Sequence, residues 1–273
     1  MTEHVEGTLP SRQYWQGWTA DAPVRGVVAL VHGVHEHGGR YAHVGARLAD
    51  AGFPVYAVDH PGHGRSDGPR GNIGSMASTV AGVDALARLA VGRHPGVPAF
   101  VFGHSLGGLI ALQYVTGTPI ELRGAIISAP ALDTSAANPV TRALSGVISR
   151  VAPNLGVLQL DATAVSRDPD VVRDYRTDPL NYLGKVRART GAEILRTVVA
   201  MQPRLEALTL PLLLIHGTSD RLVPITTTEF VQQHVGSKDV TVKLYEGGYH
   251  ESHNEPNKDT VLTDIVTWLD THA

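Results

Sequence analysis

Cysteine, long hydrophobic runs and blocks of like charge are absent from this sequence of 273 residues. Without cysteine, the chain forms no disulfide, offers no thiolate to a metal and has no cysteine nucleophile. No apolar run reaches the about 18 residues of a transmembrane helix, and the acidic N-terminus lacks the apolar segment of a signal peptide. The formal net charge of -3, without a basic cluster, argues against a nucleic-acid partner. We therefore expect a cytoplasmic protein.

The residues that are present are typical of one globular domain, with 42% hydrophobic and 18% charged residues. Short runs rich in Val, Ile and Phe alternate with stretches of helical periodicity, which predicts a mostly parallel sheet covered by helices on both faces. The predicted strands are 25–32, 54–59, 98–103, 123–128, 210–216 and 240–246. The predicted helices are 41–51, 75–93, 106–116, 226–235 and 258–270. An antiparallel hairpin around Val5 and residues 13–18 is expected to precede them.

The alternation stops between Ala131 and about Pro203, which is far more chain than a usual connection holds. We interpret this stretch as an insertion, with a core of residues 1–131 and 206–273 and a cap of residues 132–205. Apolar residues recur in it at helical spacing, at Val140, Leu144, Val147, Ile148 and Val151. The stripe either packs into the core or faces an apolar substrate or a membrane surface.

The segment from Gly103 to Gly107 reads Gly-His-Ser-Leu-Gly and matches the G-x-S-x-G pattern. It follows a predicted strand and precedes a predicted helix, which is the setting of a nucleophile elbow. Such a sharp turn holds Ser105 in a strained conformation, and a Cβ at position 103 or 107 is expected to collide with the backbone. The hydroxyl then lies at a helix N-terminus, which favours developing negative charge. The competing interpretation is a serine that only caps the helix.

A serine nucleophile needs a base and an acid that orients the base. Asp220 follows the predicted strand 210–216, at the edge where open α/β sheets place functional groups, and His250 follows the last predicted strand. The chain order Ser105, Asp220, His250 is that of the α/β-hydrolases. We predict these residues as nucleophile, orienting acid and base. Weaker candidates for the base are His216, His234, His253 and His272.

Two backbone N–H groups are predicted to bind the oxyanion, those of Val34, in the loop after the strand 25–32, and of Leu106, after the nucleophile. The loop is rich in histidine, but neither H-E-x-x-H nor the reverse spacing is present. The glycines at 62, 64 and 68 miss the G-x-G-x-x-G spacing by one residue. We therefore expect no metal and no cofactor.

Beyond the elbow, several stretches resemble the serine lipases of the α/β-hydrolase family, within them the monoacylglycerol lipase and lysophospholipase group. The matching stretches are residues 32–41 (HGVHEHGGRY), 59–68 (DHPGHGRSDG), 103–108 (GHSLGG), 128–131 (SAPA) and 249–251 (YHE). The resemblance implies an α/β-hydrolase fold with a mostly parallel, eight-stranded sheet, flanking helices and an inserted helical cap. It also implies cleavage of monoacylglycerols to fatty acid and glycerol through an acyl-enzyme.

The resemblance further implies that Tyr175 binds the glycerol hydroxyls. His35 stands where the family commonly has glycine, so we expect a stiffer backbone there and an imidazole that narrows or polarises the glycerol side of the pocket. The expected partner is a small lipid ester; a homodimer, and transient contact of the cap with a membrane or micelle, remain open. The alternatives are a general carboxylesterase, lysophospholipase or acyltransferase with the same triad, and a non-catalytic ligand-binding protein on this scaffold.

Overall fold

Alternating strands and helices build one large sheet in the computed structural model, which describes residues 2–117, 119–133 and 139–273. The strands are β1 (Glu3–Thr8), β2 (Tyr14–Thr19), β3 (Val27–Val31), β4 (Val55–Val58), β5 (Ala99–His104), β6 (Gly124–Ser128), β7 (Gly156–Leu158), β8 (Val186–Arg187), β9 (Leu212–Gly217) and β10 (Val240–Tyr245). Eight of them pair in the order β1-β2-β4-β3-β5-β6-β9-β10. The sheet is parallel from β4 to β10, and β1 and β2 are antiparallel at one edge.

The helices cover the sheet and fill the long insertion between β6 and β9. They are α1 (Ala42–Asp50), α2 (Met76–Arg93), α3 (Leu106–Val115), α4 (Pro139–Val151), α5 (Pro169–Thr177), α6 (Ala188–Met201), α7 (Thr226–His234) and α8 (Lys258–His272). The six predicted strands and five predicted helices are confirmed to within two residues at either end, and the N-terminal hairpin is confirmed as β1–β2. The predicted eight-stranded α/β-hydrolase sheet is therefore correct.

Hydrophobic side chains form a core on each face of the sheet, and β3 divides its residues between the two. Val27, Ala29 and Val31 join the core beneath α2, α3 and α6. Val28 and Leu30 join the core beneath α1 and α8. Side chains alternate between the two faces of a strand, so an uninterrupted apolar run is the pattern of a strand covered on both sides.

The insertion lies outside the large sheet and contains α4, α5, α6 and the small antiparallel pair β7–β8. Its α6 is tied to the segment before α2 and to the start of α2, because the Thr190 hydroxyl donates to the carbonyl of Gly71 at 2.9 Å and Glu193 accepts the N–H of Met76. No helix within the described ranges is long and apolar enough to cross a membrane.

The apolar stripe of α4 is largely exposed. Leu144 and Val147 each expose 59% and Val151 exposes 82% of their surface, so the prediction of a core stripe is wrong for these three residues. Ile148 is half-buried and lines the cavity described below, while the Val140 side chain lies outside the described part of the structure. Helix α4 packs on α6.

Candidate active site

Ser105 occupies the turn between β5 and α3 with φ 56° and ψ -120°. A non-glycine residue rarely adopts this conformation, and it indicates a backbone held by its surroundings. A Cβ on Gly103 would lie 2.3 Å from the carbonyl oxygen of Gly107, and a Cβ on Gly107 would lie 2.0 Å from that of Val31. The predicted collisions are therefore confirmed. The Ser105 hydroxyl makes no capping hydrogen bond, so the interpretation as a helix-capping serine is wrong.

His250 and Asp220 form a direct hydrogen bond between the turns that follow β10 and β9. The Nδ1–H of His250 donates to Oδ2 of Asp220 at 2.7 Å. The N–H groups of Leu222 and Val223 donate to the other carboxylate oxygen at 2.8 and 3.0 Å, which fixes its orientation. Because Nδ1 carries the hydrogen, Nε2 of the neutral ring is the nitrogen with a free lone pair.

The two groups shift each other's pKa in opposite directions. Burial alone would raise the pKa of Asp220, but the charge of His250 and hydrogen bonds from His216 and His250 hold it well below its ordinary value. Burial alone would lower the pKa of His250, but the adjacent Asp220 carboxylate raises it above its ordinary value. The pair is thus an ionised acid beside an imidazole of increased basicity, which suits a general base.

Ser105 and His250 line one cavity of about 1070 Å³, together with Val34, His35 and Tyr175. Many of its apolar lining residues come from the insertion, and these include Ile148, Val157, Leu158, Leu160, Leu183 and Leu195. Asp220 reaches the cavity only through His250, and Leu106 follows Ser105 as the first residue of α3. All seven predicted site residues therefore lie at or directly behind one cavity.

A buried ion network supports the loop after β3. Glu36 Oε1 accepts the N–H of Gly33 at 2.6 Å, and its other oxygen binds Arg40. Arg40 also forms two hydrogen bonds with Glu251, the residue after His250, at 2.6 and 2.7 Å. Burial opposes ionisation of Glu251, but the charge of Arg40 lowers the pKa of that carboxyl to about 2. Sequence reasoning missed this network, although Glu36 and Arg40 stand at the i, i+4 spacing of a helical ion pair.

His35 has φ 69°, a conformation that favours glycine, which agrees with its position in the family pattern. Its carbonyl accepts the N–H of Tyr182 at 2.8 Å, and the two rings meet edge to face at 5.0 Å. Burial lowers the pKa of His35 to about 3, so the ring is neutral at pH 7. Its buried Nε2 has no hydrogen-bond partner in the described ranges.

Tyr175 lies on α5 and packs its ring 4.7 Å from the guanidinium of Arg40. Burial raises the pKa of its hydroxyl above the ordinary value, so the group remains a neutral donor and acceptor. The cavity lining is therefore mostly apolar but includes polar side chains, among them Tyr175, Glu36 and His35.

Two histidines of the loops after β3 and β4, His32 and His60, are joined by two hydrogen bonds between side chain and backbone. His32 Nε2 accepts the N–H of His60, and His60 Nε2 donates to the carbonyl of His32, both at 3.0 Å. These two bonds join the carboxyl ends of neighbouring strands. Over the described residues, no group of three His, Asp or Glu side chains has the arrangement of a metal site.

The sheet order, the strained elbow serine and the Asp–His pair together define an α/β hydrolase. A family model described as Hydrolase_4, serine aminopeptidase, S33, matches residues 22–257. The chain belongs to this family, and the expectation of a carboxylic ester hydrolase of the α/β-hydrolase fold is confirmed.

Three similar proteins share nearly the whole chain. The monoacylglycerol lipase of Mycolicibacterium smegmatis is 42% identical over 256 residues, which cover 93% of this chain and 91% of the relative. The phospholipase YtpA of Bacillus subtilis is 34% identical over 93% of this chain and 98% of its own length. The crystal structure of Paleococcus ferrophilus monoacylglycerol lipase superposes with a TM-score of 0.82 and 32% identity, covering 100% of both chains.

Proposed function

We propose that this chain hydrolyses monoacylglycerols to fatty acid and glycerol through an acyl-enzyme on Ser105. The observation that carries the proposal is one cavity that is lined by the elbow serine, by His250 of the His250–Asp220 pair and by a largely apolar set of side chains. Similarity to monoacylglycerol lipases over nearly the full length supports the choice of substrate.

The reaction follows from the roles of three side chains. The Ser105 oxygen attacks the ester carbonyl carbon while His250 Nε2 takes the hydroxyl proton, and Asp220 holds the ring and stabilises the imidazolium. The tetrahedral intermediate collapses, and His250 returns the proton to the departing glycerol oxygen. Water, deprotonated by His250, then attacks the acyl carbonyl, and the proton passes back to Ser105 as the fatty acid leaves.

The oxyanion of each tetrahedral intermediate binds to the N–H groups of Val34 and Leu106 in this proposal. The N–H of Gly33 is already bonded to Glu36, whereas Val34 is the next residue of the loop and lines the cavity. The first N–H groups of α3 have no intrahelical acceptor, and Leu106 is the first residue of that helix. Donors held by the fold stabilise developing charge without reorganising during the reaction.

In this proposal, residues 132–205 act as the cap that binds the acyl chain, and the polar part of the lining at Tyr175 and His35 binds the glycerol. Apolar side chains of α4, β7 and α6 line the wall on the cap side. Tyr175 supplies a hydroxyl to the glycerol oxygens, and the His35 ring narrows the space beside them. A molecule with one acyl chain and a small polar head matches this division.

The exposed apolar surface of the insertion supports a transient contact with a membrane or micelle by a cytoplasmic, peripheral protein. This surface consists of Leu144, Val147, Val151, Leu155, Val157, Leu158 and Leu183, each exposing 47% or more of its area. Leu144, Leu158 and Leu183 also line the cavity, so the apolar surface borders its mouth. A lipid ester could then enter from the membrane without crossing water.

The test of the function compares the wild-type chain with Ser105→Ala on a monoacylglycerol. We expect the variant to unfold at the same temperature or higher and to lose hydrolysis by at least about 1000-fold, because the nucleophile is removed without a large cavity. Full activity of the variant would overturn the proposal. Labelling of Ser105 in the wild-type chain by an organophosphonate would exclude the alternative of a non-catalytic binding protein.

A second candidate is lysophospholipid hydrolysis, which the similarity to a phospholipase favours. Both substrates carry one acyl chain, so the alcohol side of the cavity has to separate them. We expect kcat/KM to be higher for a monoacylglycerol than for a lysophospholipid or a simple alkyl ester of the same fatty acid. The reverse order would assign the chain to one of those activities.

A further inference from the structure

The carboxylate of Asp220 receives a hydrogen bond from a second imidazole besides that of His250. His216 is the penultimate residue of β9, four positions before Asp220 in the chain, and it is fully buried. Its Nε2 lies 3.1 Å from Oδ2 of Asp220, the same oxygen that holds His250. We propose that His216 is a positioning residue for the reaction, which fixes the charge and orientation of Asp220; the inference rests on the proposed role of Asp220.

The surroundings of His216 determine which ring nitrogen carries hydrogen. Its Nε2 lies 3.1 Å from the carbonyl oxygen of Val223, which can only accept. Nε2 must therefore be the donor, shared between that carbonyl and Asp220. Its Nδ1 lies 2.7 Å from the Thr228 hydroxyl of α7, which donates to it. The ring is thus held as the Nε2–H tautomer, with both nitrogens bonded.

This bond completes the hydrogen bonding of Asp220. The N–H groups of Leu222 and Val223 bond to Oδ1, and the two imidazoles bond to Oδ2. Four donors satisfy the about four lone-pair sites of a carboxylate, whose side chain here is fully buried. Without His216, Oδ2 would keep His250 as its only donor among the described residues, and the carboxylate would lose one of its four hydrogen bonds.

The N–H dipole of His216 also acts on His250. Its positive end faces the oxygen that stabilises the imidazolium, so it partly offsets the attraction of the carboxylate for a protonated His250. The titratable groups that face His216 are Asp220 on its own turn, His250 from the turn after β10 and His104 from the end of β5. From α7 the facing group is the uncharged Thr228. Removal of the donor therefore increases the basicity of His250.

Two substitutions separate this role from simple packing. The amide of Gln reaches the place of Nε2 and can still donate to Asp220, whereas the shorter amide of Asn reaches the place of Nδ1 and meets only Thr228. We compare wild type, His216→Gln, His216→Asn and Ser105→Ala by kcat, KM and the pH profile on a monoacylglycerol. Thermal unfolding of each variant establishes that it is folded.

We expect His216→Asn to lose about tenfold in kcat with KM little changed, since hydrogen bonds to charged groups are strong. The acidic limb of its pH profile should move to higher pH, because His250 becomes more basic. His216→Gln should retain kcat to within about threefold and keep the wild-type limb. Equal kcat in the two variants, or an acidic limb that does not move upward in His216→Asn, would overturn the inference. An active Ser105→Ala would instead overturn the proposed function.

Discussion

The guanidinium of Arg40 lies 4.7 Å from the ring centroid of Tyr175 while it binds the carboxylates of Glu36 and Glu251. One side chain therefore contacts the loop after β3, the turn after β10 and helix α5 of the insertion. These three segments carry the proposed oxyanion donor, the base and the glycerol-binding hydroxyl. Arg40 therefore helps to fix the relative positions of these segments, together with contacts such as the Tyr182–His35 hydrogen bond.

Replacing Arg40 by Met should destabilise the fold by about 3 to 5 kcal/mol, because two buried carboxylates would lose their counter-charge. Urea unfolding at pH 7.5 measures the change. The matched control is Arg88→Met, since Arg88 forms an exposed ion pair with Asp84 on α2 and should change stability little. Equal stability of the two variants would contradict a supporting role for the buried network.

Tyr175→Phe should lower kcat/KM on a monoacylglycerol by about 3- to 10-fold, the range for loss of one neutral hydrogen bond. The methyl ester of the same fatty acid has no glycerol hydroxyls, so its hydrolysis should change little. The informative quantity is the ratio of the two rates in each enzyme. An equal decrease on both esters would show that Tyr175 supports the site without contacting glycerol.

Acid should destabilise the fold well before the carboxylates titrate. Burial lowers the pKa of His35, His60 and His253 to about 3 and that of His63 to about 4. The unfolded chain binds protons on these rings near pH 6.5, whereas the folded chain does so only near their lowered pKa values. The stabilisation from the neutral rings is therefore fully present above pH 6.5 and is lost as pH falls towards 3. Each ring contributes up to about 1.4 kcal/mol per pH unit. Urea midpoints at pH 7.5 and 5.0 measure the loss, and equal midpoints would refute it.

The proposed membrane contact predicts that Val147→Ser combined with Val151→Ser lowers liposome binding by about tenfold. Both side chains are exposed on α4 and neither lines the cavity, so hydrolysis of a dispersed short-chain ester should be unchanged. Leu244→Ser is the control, since Leu244 exposes 48% of its surface on β10, outside the insertion. Flotation assays compare the three proteins. A similar loss of liposome binding in Leu244→Ser would place the contact elsewhere. A change in the mass of the double variant, measured by light scattering, would indicate that these residues mediate self-association.

The turn at Ser105 and the strands could be predicted from the sequence because the patterns that indicate them are local. The segment around Ser105 needs a strand before it, a helix after it and glycines where a Cβ collides, and all are adjacent in the chain. The positions of Asp220 and His250 follow from a general rule, since both come directly after a strand of a parallel sheet. Such rules need no knowledge of distant contacts.

The features that could not be predicted depend on contacts between residues far apart in sequence, or on which surface a helix face contacts. Arg40 and Glu251 are separated by 211 positions, and no local pattern connects them. Periodicity in α4 indicates a stripe but not what the stripe faces, which is why the core interpretation of Leu144 and Val147 was wrong. His216 was a weak candidate for the base because it is so close to Asp220 in sequence. That same spacing brings its ring to the carboxylate across the turn.

The backbone at Ser105 has a thermodynamic consequence for descendants of this chain. A serine with positive φ costs about 1 to 3 kcal/mol that a glycine would not, so Ser105→Gly should relieve backbone strain while it removes the proposed nucleophile. Under the proposed function, stability therefore favours glycine at residue 105, whereas the reaction requires serine. A related chain that no longer needed the reaction would therefore gain stability by replacing this serine with glycine.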